Sequence, residues 1–221
     1  MHNEAKLFGI KTLRREEIEG KTVLEVGSKD VDRESFKGTL RSYVEKNNPE
    51  KYIGIDLNKG PLVDKVCGVN ELLDLFGKES FDLIICTEVI EHIRDWKGAL
   101  RNIKGVCKPG GIIFITTRSR GFPYHPIPED FWRFEIQDIK NIFSDMDILD
   151  LEKDGKFPGV FVKLKKPSNF NEYGLNNYEL YSIILDEKTS QSYNFRNYRN
   201  VRLFLLKIKF YVLEMFDKVF K

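Results

Sequence analysis

His125 and Asp130 stand five residues apart in the stretch from Thr117 to Phe134, which reads Thr-Arg-Ser-Arg-Gly-Phe-Pro-Tyr-His-Pro-Ile-Pro-Glu-Asp-Phe-Trp-Arg-Phe. Imidazole titrates near neutrality and can take a proton from a hydroxyl, while a carboxylate can orient it or serve in its place. Arg118, Arg120 and Arg133 of the same stretch could hold an anion, with Tyr124 and Trp132 beside them as aromatic surface. The stretch is too long, and too rich in histidine, arginine and aromatics, for a plain connector. Pro123, Pro126 and Pro128 stiffen it, which lowers the entropic cost of presenting side chains. The plainer alternatives are that Phe131–Phe134 plugs the core with Arg133 paired to Asp130, and that His125 is an ordinary loop histidine.

A second group of residues suits a ligand with a ribose. Thr22–Ser28 and Tyr52–Leu57 are short apolar runs, one ending in Gly27-Ser28, where the chain can pass close to a ligand, the other in Asp56, which can accept from ribose hydroxyls. A dinucleotide fingerprint would continue Gly-x-Gly-x-x-Gly from Gly27, but those positions hold Lys29 and Asp32. No Gly-x-x-x-x-Gly-Lys-Ser/Thr string occurs either. A ribose carboxylate without a phosphate cradle points to a nucleoside ligand lacking a pyrophosphate, of which S-adenosylmethionine is the common one.

The elements that must position these residues alternate strand and helix. A charged, mildly amphipathic helix over 4–19 precedes a strand over 22–27; a helix over 33–46 carries Phe36, Leu40 and Tyr43–Val44 on one face. Strands follow at 52–56 and 63–66, then a short helix over 70–76. Phe81–Cys86 is apolar almost throughout, as suits a strand covered on both faces. A helix over 94–107, broken by Lys108-Pro109-Gly110-Gly111, leads to a strand over 112–116. A helix over 135–144 and a hairpin of strands, 146–152 and 159–165, close the unit. The pattern predicts an α/β fold, a doubly wound and mostly parallel seven-stranded sheet with one antiparallel strand. The strand ends bring Gly27, Asp56, Gly68, Thr87 and Thr117 to one rim, where ligands of such sheets bind.

With 41% hydrophobic and 32% charged residues the chain has ordinary globular composition, and a net charge of +2 implies no whole-surface nucleic-acid footprint. Residues 196–221 nevertheless carry a net +5. The three cysteines form no Cys-x-x-Cys and suit a reducing, cytoplasmic setting; three histidines argue against a multi-His metal site, and none is expected. Met1–Lys6 holds no apolar signal core, and no stretch reaches the roughly 18 apolar residues of a membrane span.

The motifs resemble those of the class I S-adenosylmethionine-dependent methyltransferases, particularly the group with an E-V-x-E-H stretch after strand four. The resemblance is carried by Val23-Leu24-Glu25-Val26-Gly27-Ser28, Gly54-Ile55-Asp56-Leu57, Phe81–Cys86 with Thr87-Glu88-Val89-Ile90-Glu91-His92, and Leu100 with Lys108-Pro109-Gly110-Gly111 and Ile112–Thr116, over roughly residues 20–165. It implies that Gly27, with Ser28 beside it, lets the backbone approach the methionine part of the cofactor, and that Glu25 lies beneath, oriented towards that loop. Asp56 would accept from the ribose, Leu57 pack on the adenine, Gly68-Val69 edge the ring, and Thr87 lie near the sulfonium. The acceptor would meet His125 as base, Asp130 as its partner or substitute, and Arg118, Tyr124, Trp132 and Arg133 as contacts. Lys29 and Val31 stand where the family has glycines, and Gly68 where it often has aspartate; Asn70 or Glu71 could substitute. Glu91-His92 reads more simply as a helix opening that caps and packs.

The resulting expectation is a methyltransferase domain over 1–166 acting on a small-molecule or glycan-type hydroxyl, with a C-terminal extension over 167–221. The alternatives are an RNA or protein methyltransferase, disfavoured because Thr87-Glu88-Val89-Ile90 replaces an N/D-P-P-Y motif, and a non-catalytic module of the same fold. In the extension, 176–186 could add a strand. A highly apolar, basic helix over 195–220 must bury itself against the domain, a second copy or a lipid surface, which would make the protein peripheral to a membrane.

Overall fold

The structure, a computed structural model, describes residues 3–29, 40–126, 129–191 and 201–219. In chain order its elements are α1 (Asn3–Thr12), β1 (Thr22–Val26), α2 (Leu40–Lys46), β2 (Lys51–Asp56), β3 (Lys65–Val66), α3 (Leu72–Phe76), β4 (Phe81–Thr87), α4 (Trp96–Val106) and β5 (Cys107–Arg118). They continue as β6 (Trp132–Arg133), α5 (Ile136–Ile142), β7 (Asp147–Lys153), β8 (Gly159–Lys165), β9 (Leu180–Ser182), β10 (Glu187–Thr189) and α6 (Val201–Val219). Seven strands form one sheet in the order β3-β2-β1-β4-β5-β8-β7, in which only β8 runs against its neighbours.

The two-residue period of each central strand sorts its side chains into two cores. Leu24 and Val26, Ile84 and Cys86, and Ile113 and Ile115 enter one cluster. Their alternates Val23, Leu83, Ile85, Ile112 and Phe114 enter the other, where Phe8 of α1 and Leu40 and Val44 of α2 cover them. The unbroken apolar runs are therefore the signature of a sheet buried on both faces.

Several boundaries move for local reasons. The helix expected over 4–19 stops at Thr12, whose carbonyl accepts from the buried Lys163 Nζ of β8 at 2.6 Å. A 3-10 turn, Arg15–Glu17, follows, and its Glu17 pairs with the same lysine at 2.8 Å. The third strand shrinks to two residues because the Asp64 carboxylate takes the Gly54 N–H at 2.7 Å. Helix α4 starts late, capped by Asp95, which accepts from Gly98 N–H at 3.1 Å. Cys107 already pairs with Phe81, so β5 is far longer than 112–116, with an irregularity in register opposite Phe81 to Leu83. Residues 33–39 of the helix expected over 33–46, and Val31, lie outside the described residues.

The extension does add strands, but not to the main sheet. β9 pairs with β6 and β10 in a separate three-stranded sheet. Leu180 and Ile184 join the larger core, and Leu203, Leu206 and Phe210 of α6 pack against it.

Candidate active site

Strands β1 and β2 end side by side, Val26 opposite Ile55. At Gly27 the chain turns with φ +75°, and a Cβ there would lie 2.4 Å from Val89 Cγ2. Glycine is thus required by backbone conformation and by the turn after β4, before any ligand is considered. Ser28 is buried, and its Oγ has no hydrogen-bond partner. Lys29, which replaces a family glycine, lies along the β2–β3 turn, close to Gly60. Asp56 closes β2, one carboxylate oxygen accepting from Asn58 N–H at 2.9 Å. Leu57 beside it is 64% exposed, and a Cβ on Gly68 would touch its Cδ2 at 3.4 Å. Gly68 thus carries no side chain beside an exposed leucine, and the neighbouring Val69 is buried. Both residues that could substitute for the missing aspartate have neighbours of their own: Glu71 accepts from Gly68 N–H at 3.1 Å to cap its own turn, and Asn70 Oδ1 lies near Gly98.

Glu25 sits under this rim, its Oε2 without a hydrogen bond and 3.6 Å from Arg41. Burial pushes its carboxyl up to about 7, against the opposing pull of Arg41. Arg41 is a hub that the sequence did not disclose. It pairs with Glu45 at 2.9 Å, donates to Leu62 O at 2.8 Å and stacks over Tyr52 at 4.5 Å.

Thr87 ends β4 opposite Thr116 of β5. Glu88 follows with φ +57°, an uncommon conformation for a residue with a side chain, and pairs with Arg118. Ile90–His92 is a 3-10 turn rather than a helix opening. Glu91 is fully buried, its Oε2 accepting from the Thr117 hydroxyl at 2.9 Å, and burial raises its pKa.

The loop after β5 docks on that turn. Phe131 N–H donates to Glu91 O at 2.9 Å, and His92 Nδ1 donates to Glu129 O at 2.5 Å. His125 stands edge-on to His92, ring centroids 4.7 Å apart, and remains 25% exposed. Its Nδ1 lies 2.8 Å from Asp130 Oδ2. Asp130 is wholly buried; burial would raise its pKa, but the Arg133 guanidinium and His125 more than offset this and hold it at about 2. The same carboxylate accepts from the His125 backbone N–H at 3.0 Å, so it fixes the loop at this residue. His92 is driven towards its neutral form by burial and by His125.

The four residues expected to contact the acceptor turn inward. Trp132 is buried, its indole N–H donating to Ile93 O at 3.0 Å. Arg133 donates to Asp130 at 2.5 and 2.7 Å and to Pro123 O at 3.1 Å. Arg118 is buried between Glu88 and Asp154. The Tyr124 hydroxyl donates to Glu129 at 3.0 Å. Their donors are spent in building the loop, because a buried guanidinium or indole must be hydrogen-bonded. Two clefts lie near the sheet's ends. One of about 610 Å³ sits at the opposite, amino-terminal ends of the parallel strands, against Lys21, Asp82 and Gly111, away from this chemistry. One of about 290 Å³ lies between the loop and α6, lined by Arg120, Phe122, Tyr181, Arg202, Leu206 and Phe210.

A seven-stranded sheet with β8 reversed, and with glycine, carboxylate and threonine at successive strand ends, defines the class I S-adenosylmethionine-dependent methyltransferase fold. The sequence model described as "Methyltransferase domain" matches residues 9–151, and the chain belongs to that family. Over 63 residues it is 38% identical to the ubiquinone biosynthesis O-methyltransferase of Parvibaculum lavamentivorans, covering 28% of this chain and 24% of that protein. Over 62 residues it is 39% identical to the human mitochondrial ubiquinone biosynthesis O-methyltransferase, covering 26% and 16%. The match thus spans a quarter or less of the length of these curated relatives. The fold is similar to that of Burkholderia thailandensis 1,6-didemethyltoxoflavin-N1-methyltransferase, solved with 1,6-didemethyltoxoflavin and S-adenosylhomocysteine. That superposition has a TM-score of 0.57 at 14% identity, over 74% of this chain and 78% of that one.

Proposed function

We propose that the protein transfers a methyl group from S-adenosylmethionine to a hydroxyl of a small-molecule or glycan-type acceptor. The observation that carries this reading is the pair His125–Asp130 at 2.8 Å, a partly exposed imidazole backed by a buried, ionised carboxylate, beside the ends of β4 and β5. The partial likeness to enzymes named O-methyltransferases supports it.

The rim fits the donor. Leu57 and Gly68 offer the adenine an apolar slot, Asp56 a ribose acceptor, and the orphaned Ser28 Oγ a group in need of a partner. S-adenosylmethionine supplies, when bound, a methyl group already activated by a sulfonium. The chain's part is to align the acceptor, exclude water and receive a proton. His125 is the group for the last task, with its Nδ1 2.8 Å from the buried Asp130 carboxylate. Arg133, locked to Asp130, serves that carboxylate and not the acceptor. The exposed apolar side of α6 is read as a contact surface, for a second copy or for lipid.

Asp56→Ala should weaken S-adenosylhomocysteine binding by about 1.5–3 kcal/mol, the worth of hydrogen bonds to a charged acceptor. His125→Ala should leave that affinity nearly intact and lower transfer to a hydroxyl acceptor by roughly 10²–10⁴-fold. Calorimetry and a radiolabelled transfer assay over a panel of hydroxyl and amine acceptors test both. Unchanged affinity in folded Asp56→Ala, or normal turnover in His125→Ala, would discard the respective assignment.

A further inference from the structure

Glu91, His92 and His125 form a cluster whose chemistry reaches beyond proton transfer. One donor atom from each lies within 4.8 Å of the other two. Glu91 is fully buried, and while its Oε2 accepts from Thr117, its Oε1 has no hydrogen-bond partner. A buried carboxyl oxygen left without a partner is costly, so the turn after β4 holds an acceptor in need of one.

The two imidazoles are arranged to supply that partner. His92 Nδ1 donates to Glu129 O at 2.5 Å, and His125 Nδ1 faces Asp130 Oδ2 at 2.8 Å. The His92 ring, its Nδ1–H given to a carbonyl, carries its lone pair on Nε2, the nitrogen a metal takes, whereas the His125 Nδ1 approaches the Asp130 carboxylate without completing a hydrogen bond. Metal-binding histidines show this backing by a carbonyl or carboxylate almost without exception. Asp130 is in turn fixed by two bonds from Arg133, so the outer layer is rigid before any ion arrives. Histidine count alone argues against a multi-His site, yet two of the chain's three histidines meet here.

We propose that Glu91, His92 and His125 bind a divalent first-row transition ion of the Zn²⁺, Co²⁺ or Mn²⁺ kind, through one carboxylate oxygen and two imidazole nitrogens. Imidazole donors favour such ions over Mg²⁺ and Ca²⁺, which prefer oxygen alone. Donors at ~2.1 Å from one ion stand roughly 3–3.5 Å apart, so the trio closes by at most about 2 Å on loading. His125, partly exposed on the loop, is the ligand that moves and the side from which the ion enters. Three protein ligands leave coordination positions open. An ion held there would occupy the His125 nitrogen assigned a proton above, so the proposed base acts in the metal-free protein. The binding itself does not depend on the transfer reading.

The test uses full-length protein, stripped with a chelator and desalted, without methyl donor or acceptor. Titration with Zn²⁺ by calorimetry, and with Co²⁺ by visible absorption, is expected to show one equivalent bound. His92→Asn and His125→Asn, each checked by thermal melt, should weaken it at least tenfold, whereas His2→Ala should retain it. His125→Asn guards against the chance that changes at the buried turn fail to fold. No stoichiometric uptake by the wild-type protein would overturn the proposal, as would uptake indifferent to both asparagine variants or lost with His2→Ala. Because the ion alone is the probe, a failed search for the acceptor leaves this result standing.

Discussion

Glu25 shows how one side chain ties the rim to pH. Burial raises its pKa from 4.5 to about 7. An acid that holds its proton more tightly when folded contributes fully below about pH 4.5, and that contribution is lost as pH rises through about 7. Glu25→Gln should remove the loss, so urea denaturation at pH 5 and pH 8 should show the wild type falling by on the order of 2–3 kcal/mol relative to the variant. Parallel curves would mean that Arg41 keeps the carboxylate ionised throughout. Part of the site was legible at this scale. The places of Gly27 and Asp56 at neighbouring strand ends are readable because a strand end followed by glycine or carboxylate is a local pattern. That of Arg41 is not, because only Glu45 is its helical neighbour, while Glu25 and Asp64 meet it only in the folded chain. The inward turn of Trp132 and Arg133 was foreseen only as an alternative, since composition cannot tell a side chain that faces a ligand from one that braces a loop. The meeting of His92 with His125 cannot be read from the sequence, because 33 residues separate them.

Among the elements, long periodic ones were readable and short ones were not. β1, β2 and β4 announce themselves as apolar runs because both faces of the sheet are covered. β6 is two residues long and exists only because Trp132 and Arg133 find Ser182 and Tyr181 opposite them. Helix α4 carries another hidden device. Lys104 is almost wholly buried, held by Asp145 at 2.7 Å and by Ile142 O at 3.0 Å, so it joins α4 to the end of α5. Burial lowers its pKa, against the pull of Asp145. Asp145→Ala should therefore cost about 3–5 kcal/mol, chiefly for leaving a buried ammonium without its counter-charge. The double change Lys104→Met with Asp145→Ala should recover much of that loss in equilibrium unfolding. A double variant as unstable as the single one would assign the cost to Tyr173, whose N–H also donates to Asp145.

The molecule as a whole presents α6 as an apolar helix with two sides. Leu203, Leu206 and Phe210 pack on the core, while Phe204, Leu205, Ile208, Val212 and Met215 remain exposed. Among the described residues no helix is long and apolar enough to cross a membrane, and the exposed side is proposed as a contact surface for a second copy or for lipid. Phe204→Glu with Leu205→Glu should abolish self-association in sedimentation, or flotation with anionic liposomes, without lowering the melting temperature, since both residues are exposed. A wild-type protein that neither associates nor floats would remove the idea. The inner side of α6 has a different reach. Lys207 pairs with Glu129 at 2.5 Å, and the carbonyl of Glu129 holds His92. Whatever fixes the helix therefore also biases the loop beside the imidazoles. Such a tie is reciprocal by thermodynamic necessity. If docking of α6 tightens acceptor binding by some factor, a bound acceptor must strengthen docking by the same factor. Acceptor-dependent partitioning of the protein, lost in Lys207→Ala, would be the visible sign that its place in the cell responds to what it has bound.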